Sequence, residues 1–248
     1  KLTNDIFGHD AGDLLLKKIA NAISRSCRAD DIVARVGGDE FIILLPNTTT
    51  SDAEKILHRI KEEVGKEDYN VVKGSVALGL STKTNIEEDI KEIFREAEDR
   101  MYKNKNIGQS EEYFEQLSFI IKTLHEKSVR EKIHSQNVSE LSERIAIELN
   151  LAQEDIRRAK EAGYYHDIGK IILSEEILSN LGKLTPQEQR EMNKHAITGY
   201  RILNIFNETV DIAKGVLDHH EYWDGTGYPK GLENEEISIL GRIIAVAE

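Results

Sequence analysis

The 248-residue sequence has one cysteine, three prolines, fewer basic than acidic residues and no long apolar run, and these features exclude several classes of protein. Because Cys27 is the only cysteine and no export signal opens the chain, we expect no internal disulfide and a reducing, cytoplasmic environment. No apolar run reaches the roughly 18 residues that a transmembrane helix needs. The net charge of −12 argues against a general binder of nucleic-acid polymers. A local pocket or a metal can still attract a small nucleotide.

The first hundred residues alternate helix-like and strand-like patterns, which predicts an α/β domain with at least one antiparallel strand pair. We expect helices at 10–27 and 86–105, and between them a helix that turns Ala53, Ile56, Ile60 and Val64 inward. We expect a hairpin of strands at 31–36 and 41–45, and a strand pair or bent strand over 71–80.

After Gly108 almost the whole sequence has helical periodicity, which predicts an all-α domain. The expected helices span 111–127, 131–149, 153–165, 185–206, 209–220 and 238–248. We therefore place the domains at 1–108 and 109–248, and the absence of a proline- or serine-rich linker favours a stiff helical connection. Both ends are abrupt, because no strand precedes Lys1 and Glu248 falls in an apolar helix. We expect the natural protein to extend in both directions.

Histidines are spread over separate helices of the second half. His134 shares a helix face with Val138 and Leu141, and further histidines share the apolar faces of their own helices or end a helix, namely His166, His195, His219 and His220. A single His166-Asp167 pair is as readily a polar cluster at a helix end. Several imidazoles in one small core are costly to desolvate without a shared partner. Imidazoles and a bridging carboxylate are ligands of divalent metals, so the pattern predicts a metal site.

The segment at 219–232 resembles the HHExxDGxGYPxGL stretch of the HD-GYP family, and the order of the histidines follows that family. The resemblance implies hydrolysis of cyclic di-GMP to pGpG and GMP with two or three metals, commonly iron or manganese. It implies metal ligands at His134, His166, Asp167, His195, His219 and His220, with Asp167 as the catalytic bridge. Lys170 matches the lysine that contacts the scissile phosphate or the bridging solvent.

Two positions depart from the HD-GYP pattern. Glu248 stands where the family has a closing aspartate that binds metal, and a glutamate can also ligate although its side chain is one methylene longer, so the resemblance implies Glu248 as a further metal ligand. Arg130 stands where members with three metals have a glutamate, one turn before the first histidine. Because an arginine does not ligate metals, we expect two metals rather than three.

The first half contains Gly37-Gly38-Asp39-Glu40-Phe41 between two predicted strands. The glycines permit a tight turn and the close approach of a phosphate, and the adjacent carboxylates can hold magnesium. Taken alone, such a hairpin is more often only a turn. Together with the upstream stretch from Asn4 to Asp13, however, it resembles the sequence motifs of the GGDEF family. That family joins two GTP molecules into cyclic di-GMP, with one GTP on each protomer of a homodimer.

The GGDEF resemblance implies roles for individual residues. Asn4 and Asp13 would read the guanine edge, and Asp39 would bind metal with Glu40 as a metal ligand or base. Gly37, Gly38, Lys1 and Lys105 would approach the phosphates. Arg28 and Asp31 fit the RxxD inhibitory site, or are an incidental charge pair at a helix end. The family's first strand carries a metal-binding aspartate that would precede Lys1, and Gln109 replaces an arginine that contacts phosphate.

These resemblances predict a cyclic di-GMP hydrolase that also carries a GTP-binding domain, with a sensor domain upstream. Three alternatives remain open from the sequence. The GGDEF half can be a GTP-binding regulator of the hydrolase rather than a cyclase. The hydrolase can act on another cyclic dinucleotide, or the chain can be a catalytically weak scaffold.

Overall fold

The computed structural model describes the backbone of residues 2–69, 72–180 and 182–248. The chain divides into two compact units, which are described separately. One unit comprises Gly8–Gln116, and the other comprises Leu117–Glu248 together with the N-terminal segment up to Phe7. Within the described residues, no helix is both long and apolar enough to cross a membrane.

The unit of Gly8–Gln116 is built on two amphipathic helices and short antiparallel strands. Helix α2 spans His9–Arg25 and α3 spans Thr50–Gly65, and α3 buries the four apolar residues that its periodicity predicts. Strands β1 (Ile32–Gly37) and β2 (Glu40–Leu44) form the predicted hairpin, and β3 (Asp68–Tyr69) pairs with β4 (Val72–Lys73). The α/β pattern and the antiparallel pair are therefore confirmed.

The predicted strand over 71–80 is wrong beyond Lys73, because residues 74–80 form no strand. Side chains rather than a neighbouring strand bind carbonyls in this segment. Asn104 Nδ2 donates to Leu78 O at 2.9 Å, and Arg100 donates to Leu80 O at 2.8 Å. Both donors belong to helix α4, Ile90–Lys127, so the segment lies along that helix.

Helix α4 is one continuous helix of 38 residues where the sequence predicts two, at 86–105 and 111–127. It begins later than expected and runs through the predicted boundary near residue 108. The exact division of the domains at 108 and 109 stays a prediction.

The other unit is all-α, as the sequence predicts. Short helix α1 (Leu2–Phe7) packs on α8. The larger helices are α5 (Val129–Glu148), α6 (Gln153–Tyr165), α8 (Pro186–Leu203), α9 (Val210–Asp218) and α10 (Ile239–Ala247), with α7 (Glu175–Ser179) between α6 and α8. A 3-10 turn at Ile168–Ile172 packs against α8. A capping box of Thr185 and Glu188, with Pro186 in the first turn, starts α8 and fixes its entry.

Candidate metal centre

Five histidines and two acids from separate helices meet in the all-α unit. His134 lies in α5 and His195 in α8, whereas the others follow the ends of α6, α9 and α10. They form two groups in which ligand atoms lie within 4.8 Å of one another. One group holds His134, His166, Asp167 and Glu248, and the other holds His195, His219 and His220. The fold thus brings together every residue that the sequence predicts as a ligand in this half.

Local helix geometry sets the orientation of three imidazole rings. In each ring, Nδ1 faces the carbonyl oxygen of the residue three positions earlier. The distance between these two atoms is 2.8 Å from His166 to Gly163, 2.6 Å from His195 to Met192, and 2.6 Å from His219 to Val216. A carbonyl oxygen only accepts hydrogen bonds, so Nδ1 is the donor in each ring. When the ring is neutral, its Nε2 atom carries a lone pair directed into the cluster.

The rings of His195 and His219 place their Nε2 atoms 3.3 Å apart. Burial lowers the pKa of His195, and burial together with His220 lowers that of His219 well below its usual range. Both rings are therefore neutral near pH 7. Two lone pairs at this distance cannot bind each other, whereas a divalent cation binds both.

The carboxylate of Asp167 is fully buried and divides its oxygens between the two groups. Oδ2 lies 3.0 Å from His166 Nε2 and 3.6 Å from His134 Nε2, and Oδ1 lies 3.4 Å from His195 Nε2. Neither oxygen accepts a hydrogen bond of ordinary geometry, although the Lys170 ammonium forms an ion pair with Oδ2. Burial acts to raise the pKa of Asp167, but His166 and Lys170 hold it well below its usual range.

The donor set fits divalent metals. Lys170 pairs with Asp167 Oδ2, but Oδ1 accepts no hydrogen bond and the imidazole lone pairs face one another, which is costly unless a further cation satisfies them. Neutral imidazoles with carboxylates suit iron, manganese or zinc. Because its oxygens face different groups, Asp167 is positioned as a bridge between two ions.

Lys170 lies between two carboxylates at the edge of the cluster. Its Nζ is 2.6 Å from Asp167 Oδ2 and 3.1 Å from Glu131 Oε2. Burial acts to lower the pKa of Lys170, but Asp167 and Glu131 outweigh it and the pKa is raised. Glu131 is buried, and the sequence reasoning missed it. Its position three residues before His134 on one helix face was the available signal.

Glu248 and Arg130 lie at the margins of the cluster. The Glu248 carboxylate is 3.8 Å from His220 Nδ1, with its side chain 26% exposed, so the longer side chain still reaches the ligand groups. Burial raises its pKa. Arg130 is exposed and lies in the first turn of α5, one turn before His134.

The loop that follows His220 is tied down by the buried carboxylate of Glu221. Its Oε1 accepts from the backbone N–H of Lys230 at 2.6 Å, and its Oε2 accepts from that of Leu232 at 2.9 Å. The Tyr228 ring then stacks on His220, with ring centroids 4.8 Å apart. The loop thereby covers one face of a candidate ligand.

The residues predicted to bind nucleotide in the first half are only partly brought together. Gly37–Glu40 forms the turn of the β1–β2 hairpin, where Gly38 has φ +47 and Asp39 and Glu40 are exposed. Asp13 is exposed on α2. Asn4 lies on α1, which belongs to the other unit, so one cleft containing all of them is not formed within either unit. Lys1 and the side chain of Lys105 lie outside the described residues.

The predicted inhibitory site forms a local turn. The backbone N–H of Arg28 donates to Asp31 Oδ2 at 2.6 Å, so Asp31 closes the turn that follows α2. Cys27 adjoins this turn. Burial, followed by the charge of Asp31, raises the pKa of the Cys27 thiol.

Comparisons with known proteins agree with the two-part organisation. A family model described as "HD domain" matches residues 118–248, and one described as "Diguanylate cyclase, GGDEF domain" matches residues 1–111. The tandem arrangement that the sequence predicts is confirmed.

Two curated relatives and one solved structure are similar to this chain. A "Cyclic di-GMP phosphodiesterase" of Thermotoga maritima is 34% identical over 215 residues, covering 86% of this chain and 54% of the relative. The "3'3'-cGAMP-specific phosphodiesterase 2" of Vibrio cholerae is 40% identical over 117 residues, covering 46% of this chain and 22% of the relative. The diguanylate cyclase SiaD of Pseudomonas aeruginosa, solved with its activator SiaC, is 31% identical, with 43% of this chain and 42% of that chain covered and a TM-score of 0.38. The chain spans about half the length, or less, of these curated relatives.

Proposed function

The chain belongs to the HD-domain family and carries a GGDEF domain ahead of its HD domain, and from this premise we propose that it is a cyclic di-GMP signalling protein. Its all-α half hydrolyses cyclic di-GMP to pGpG and onward to GMP. The observation that carries the proposal is the bridging position of the Asp167 carboxylate between two groups of ligand atoms.

The metal ligands in this proposal are the seven residues of the two groups. His134, His166 and Glu248 would hold one ion, His195, His219 and His220 would hold the other, and the Asp167 carboxylate would contribute to both. The bound ions, iron or manganese, would neutralise charge on the phosphodiester oxygens and make a water molecule acidic enough to attack near neutral pH.

The chain's own residues position and charge the site. Asp167 stays ionised and therefore acts as a ligand rather than as a proton donor. Lys170 keeps its proton at Nζ, because two carboxylates flank it. Its fixed positive charge stabilises the negative charge that develops on the phosphate oxygens in the transition state. Glu131 holds the ammonium group in place.

The GGDEF half is proposed to bind GTP with magnesium at the Gly37–Glu40 turn. Two exposed carboxylates at this turn suit magnesium, and the tight turn leaves room for a phosphate. Whether the half also synthesises cyclic di-GMP depends on a metal-binding aspartate that the resemblance places ahead of Lys1. Synthesis requires two protomers, so the active form is a homodimer. In this proposal the protein acts in the cytoplasm, under the control of an upstream sensor domain.

A second substrate is favoured by one specific observation. The Vibrio cholerae relative, which is 40% identical over its matched residues, is named for 3'3'-cGAMP rather than for cyclic di-GMP. Both molecules have the same phosphodiester chemistry and differ in one base. Metal-site geometry therefore does not discriminate between them.

Elemental analysis of the full-length protein, together with turnover of both cyclic dinucleotides, tests the proposal. We expect two iron or manganese ions per chain and a higher kcat/KM for cyclic di-GMP. A higher kcat/KM for 3'3'-cGAMP would establish the second substrate. Absence of bound metal and of turnover would reduce the all-α half to a scaffold.

A further inference from the structure

A cleft of about 560 Å³ opens beside the metal centre, within the all-α unit. Lys170 and Glu131 lie on its wall, and Lys170 contacts Asp167. Met192 also lines the cleft, and its carbonyl accepts from the ring of His195. The cleft therefore adjoins residues of both ligand groups. Its volume falls within the range of about 300–1,000 Å³ that is typical of small-molecule sites.

The charged residues of the cleft are mostly cationic, although the whole chain is acidic. Arg130, Lys170 and Lys183 line it together with one carboxylate, that of Glu131. Glu131 is already paired with Lys170. Within the described part of the chain, neither Arg130 nor Lys183 forms an ion pair or a side-chain hydrogen bond. Among the described residues, these two cations lack protein partners and the one acid that lines the cleft is paired with Lys170, so the cleft carries a positive field that attracts an anion.

The remaining lining supplies an apolar surface. Ile177, Leu184 and Met192 contribute side chains of a kind that packs against the flat face of a nucleobase. Apolar surface beside a few charged groups is the usual composition of a small-molecule site. A nucleotide unit, with its base and its phosphate, matches both parts of this lining.

We infer that this cleft binds the second nucleotide unit of the cyclic dinucleotide, with Arg130 and Lys183 holding the phosphate that is not being cut. The inference rests on the proposed hydrolase function. In this arrangement Lys170 faces the scissile phosphate beside Asp167, and the base of the distal unit packs on Leu184 and Met192. Arg130, which cannot ligate a metal, thereby acquires a role in substrate binding.

The test compares two substrates in the full-length, metal-loaded protein. Cyclic di-GMP has a second nucleotide unit, whereas bis(4-nitrophenyl) phosphate is a phosphodiester without one. The measured quantity is the ratio of kcat/KM for the first substrate to kcat/KM for the second. We expect this ratio to fall about fivefold in Arg130→Gln or Lys183→Gln and at least tenfold in the double variant, since each substitution removes one charge-assisted contact to the distal phosphate.

Two further variants make the result specific to the cleft. Arg130→Lys keeps the charge and should retain most of the ratio. Lys214→Gln removes an exposed cation on α9 that does not line the cleft, and should leave the ratio unchanged. Elemental analysis of each variant shows whether its metals are retained.

The outcomes separate this inference from the proposed function. If the parent protein hydrolyses both substrates and the double variant keeps the parent ratio with its metals bound, the cleft assignment is overturned and the hydrolase function stands. If the parent cleaves the small diester but no cyclic dinucleotide, the proposed function fails and the cleft assignment fails with it. A selective loss of cyclic di-GMP turnover supports both.

Discussion

The Nε2 atoms of His195 and His219 face each other at 3.3 Å, while the Nδ1 atom of each ring donates to a carbonyl of its own helix. The helices therefore fix both rings with their lone pairs converging. Ligands held in this way before the ion arrives lose little conformational entropy when it binds.

Metal binding should stabilise the fold through these rings. We expect manganese or iron at a hundred times its Kd to raise the free energy of unfolding by about 2.7 kcal/mol, measured as a shift in Tm. His195→Gln should lose at least one ion per chain and most of the shift. His58→Gln is the matched control, because His58 is exposed on α3. Full metal content in His195→Gln would contradict the assignment.

Truncation of Asp167 and truncation of Lys170 should have different effects on metal content and on kcat. Asp167→Ala should lose both metals and all measurable turnover, because the bridging carboxylate is removed. Lys170→Ala should retain metals while kcat falls about 10²–10³-fold, the cost of removing one preorganised charge from a transition state. Lys194→Ala, at an exposed residue of α8, serves as the control. Normal turnover by Asp167→Ala would show that His166-Asp167 is a structural helix end.

Glu131 should act on catalysis through Lys170. Glu131→Gln keeps the size of the side chain but removes the charge that holds the ammonium group at 3.1 Å. We expect kcat to fall about tenfold, or ~1.4 kcal/mol in the barrier, with KM and metal content unchanged. Glu126→Gln, at an exposed residue of α4, controls for loss of a surface charge. A loss of metal in proportion to the loss of rate would mean that Glu131 supports the ligands instead.

Glu221 should hold the loop that covers His220. Each hydrogen bond to its buried carboxylate is worth about 1.5–3 kcal/mol, and two backbone N–H groups depend on it. Glu221→Ala should release the backbone of the loop, so that trypsin cuts after Lys230 much faster than in the parent. Glu235→Ala, at an exposed residue nearby, should not change the rate. Equal cleavage rates in Glu221→Ala and the parent would show that the loop is held by other contacts.

Cys27 can report ligand binding at the Arg28–Asp31 turn. Because burial and Asp31 raise its pKa, the thiol should react slowly with iodoacetamide at pH 7.5, and Asp31→Asn should speed the reaction. If this turn binds cyclic di-GMP, the ligand should slow alkylation of the Cys27 peptide several-fold, as measured by mass spectrometry. Arg28→Gln should abolish that protection, whereas Arg25→Gln, whose side chain pairs with Glu67, should not. Ligand without effect on the rate would leave Arg28 and Asp31 as a helix-end charge pair.

Helical periodicity predicted most of the all-α unit but not which residues of α5 are buried. Val138 is buried as expected, whereas Leu141 is 40% exposed. The buried face contains Ser135, Ser139 and Ser142, because α6 approaches closely through Gly163. A side chain at Gly163 would lie 2.8 Å from the hydroxyl of Ser142, so only small residues fit there. An apolar pattern within one helix carries no information about how near its neighbour lies.

Sequence determined the chemistry of the centre, since the identities and order of His134, His166-Asp167, His195 and His219-His220 carried the resemblance and the metal prediction. Tertiary structure decided how that chemistry is arranged. Glu131 and Lys170 are 39 residues apart, and their ion pair exists because α5 packs beside α6 and Lys170 lies in the turn that follows α6. The division of the Asp167 oxygens between two ligand groups likewise depends on the packing of separate helices. The sequence directly gives the residue types and the local periodicity of apolar residues, but a contact between distant residues forms only when helices pack and bury their shared surface.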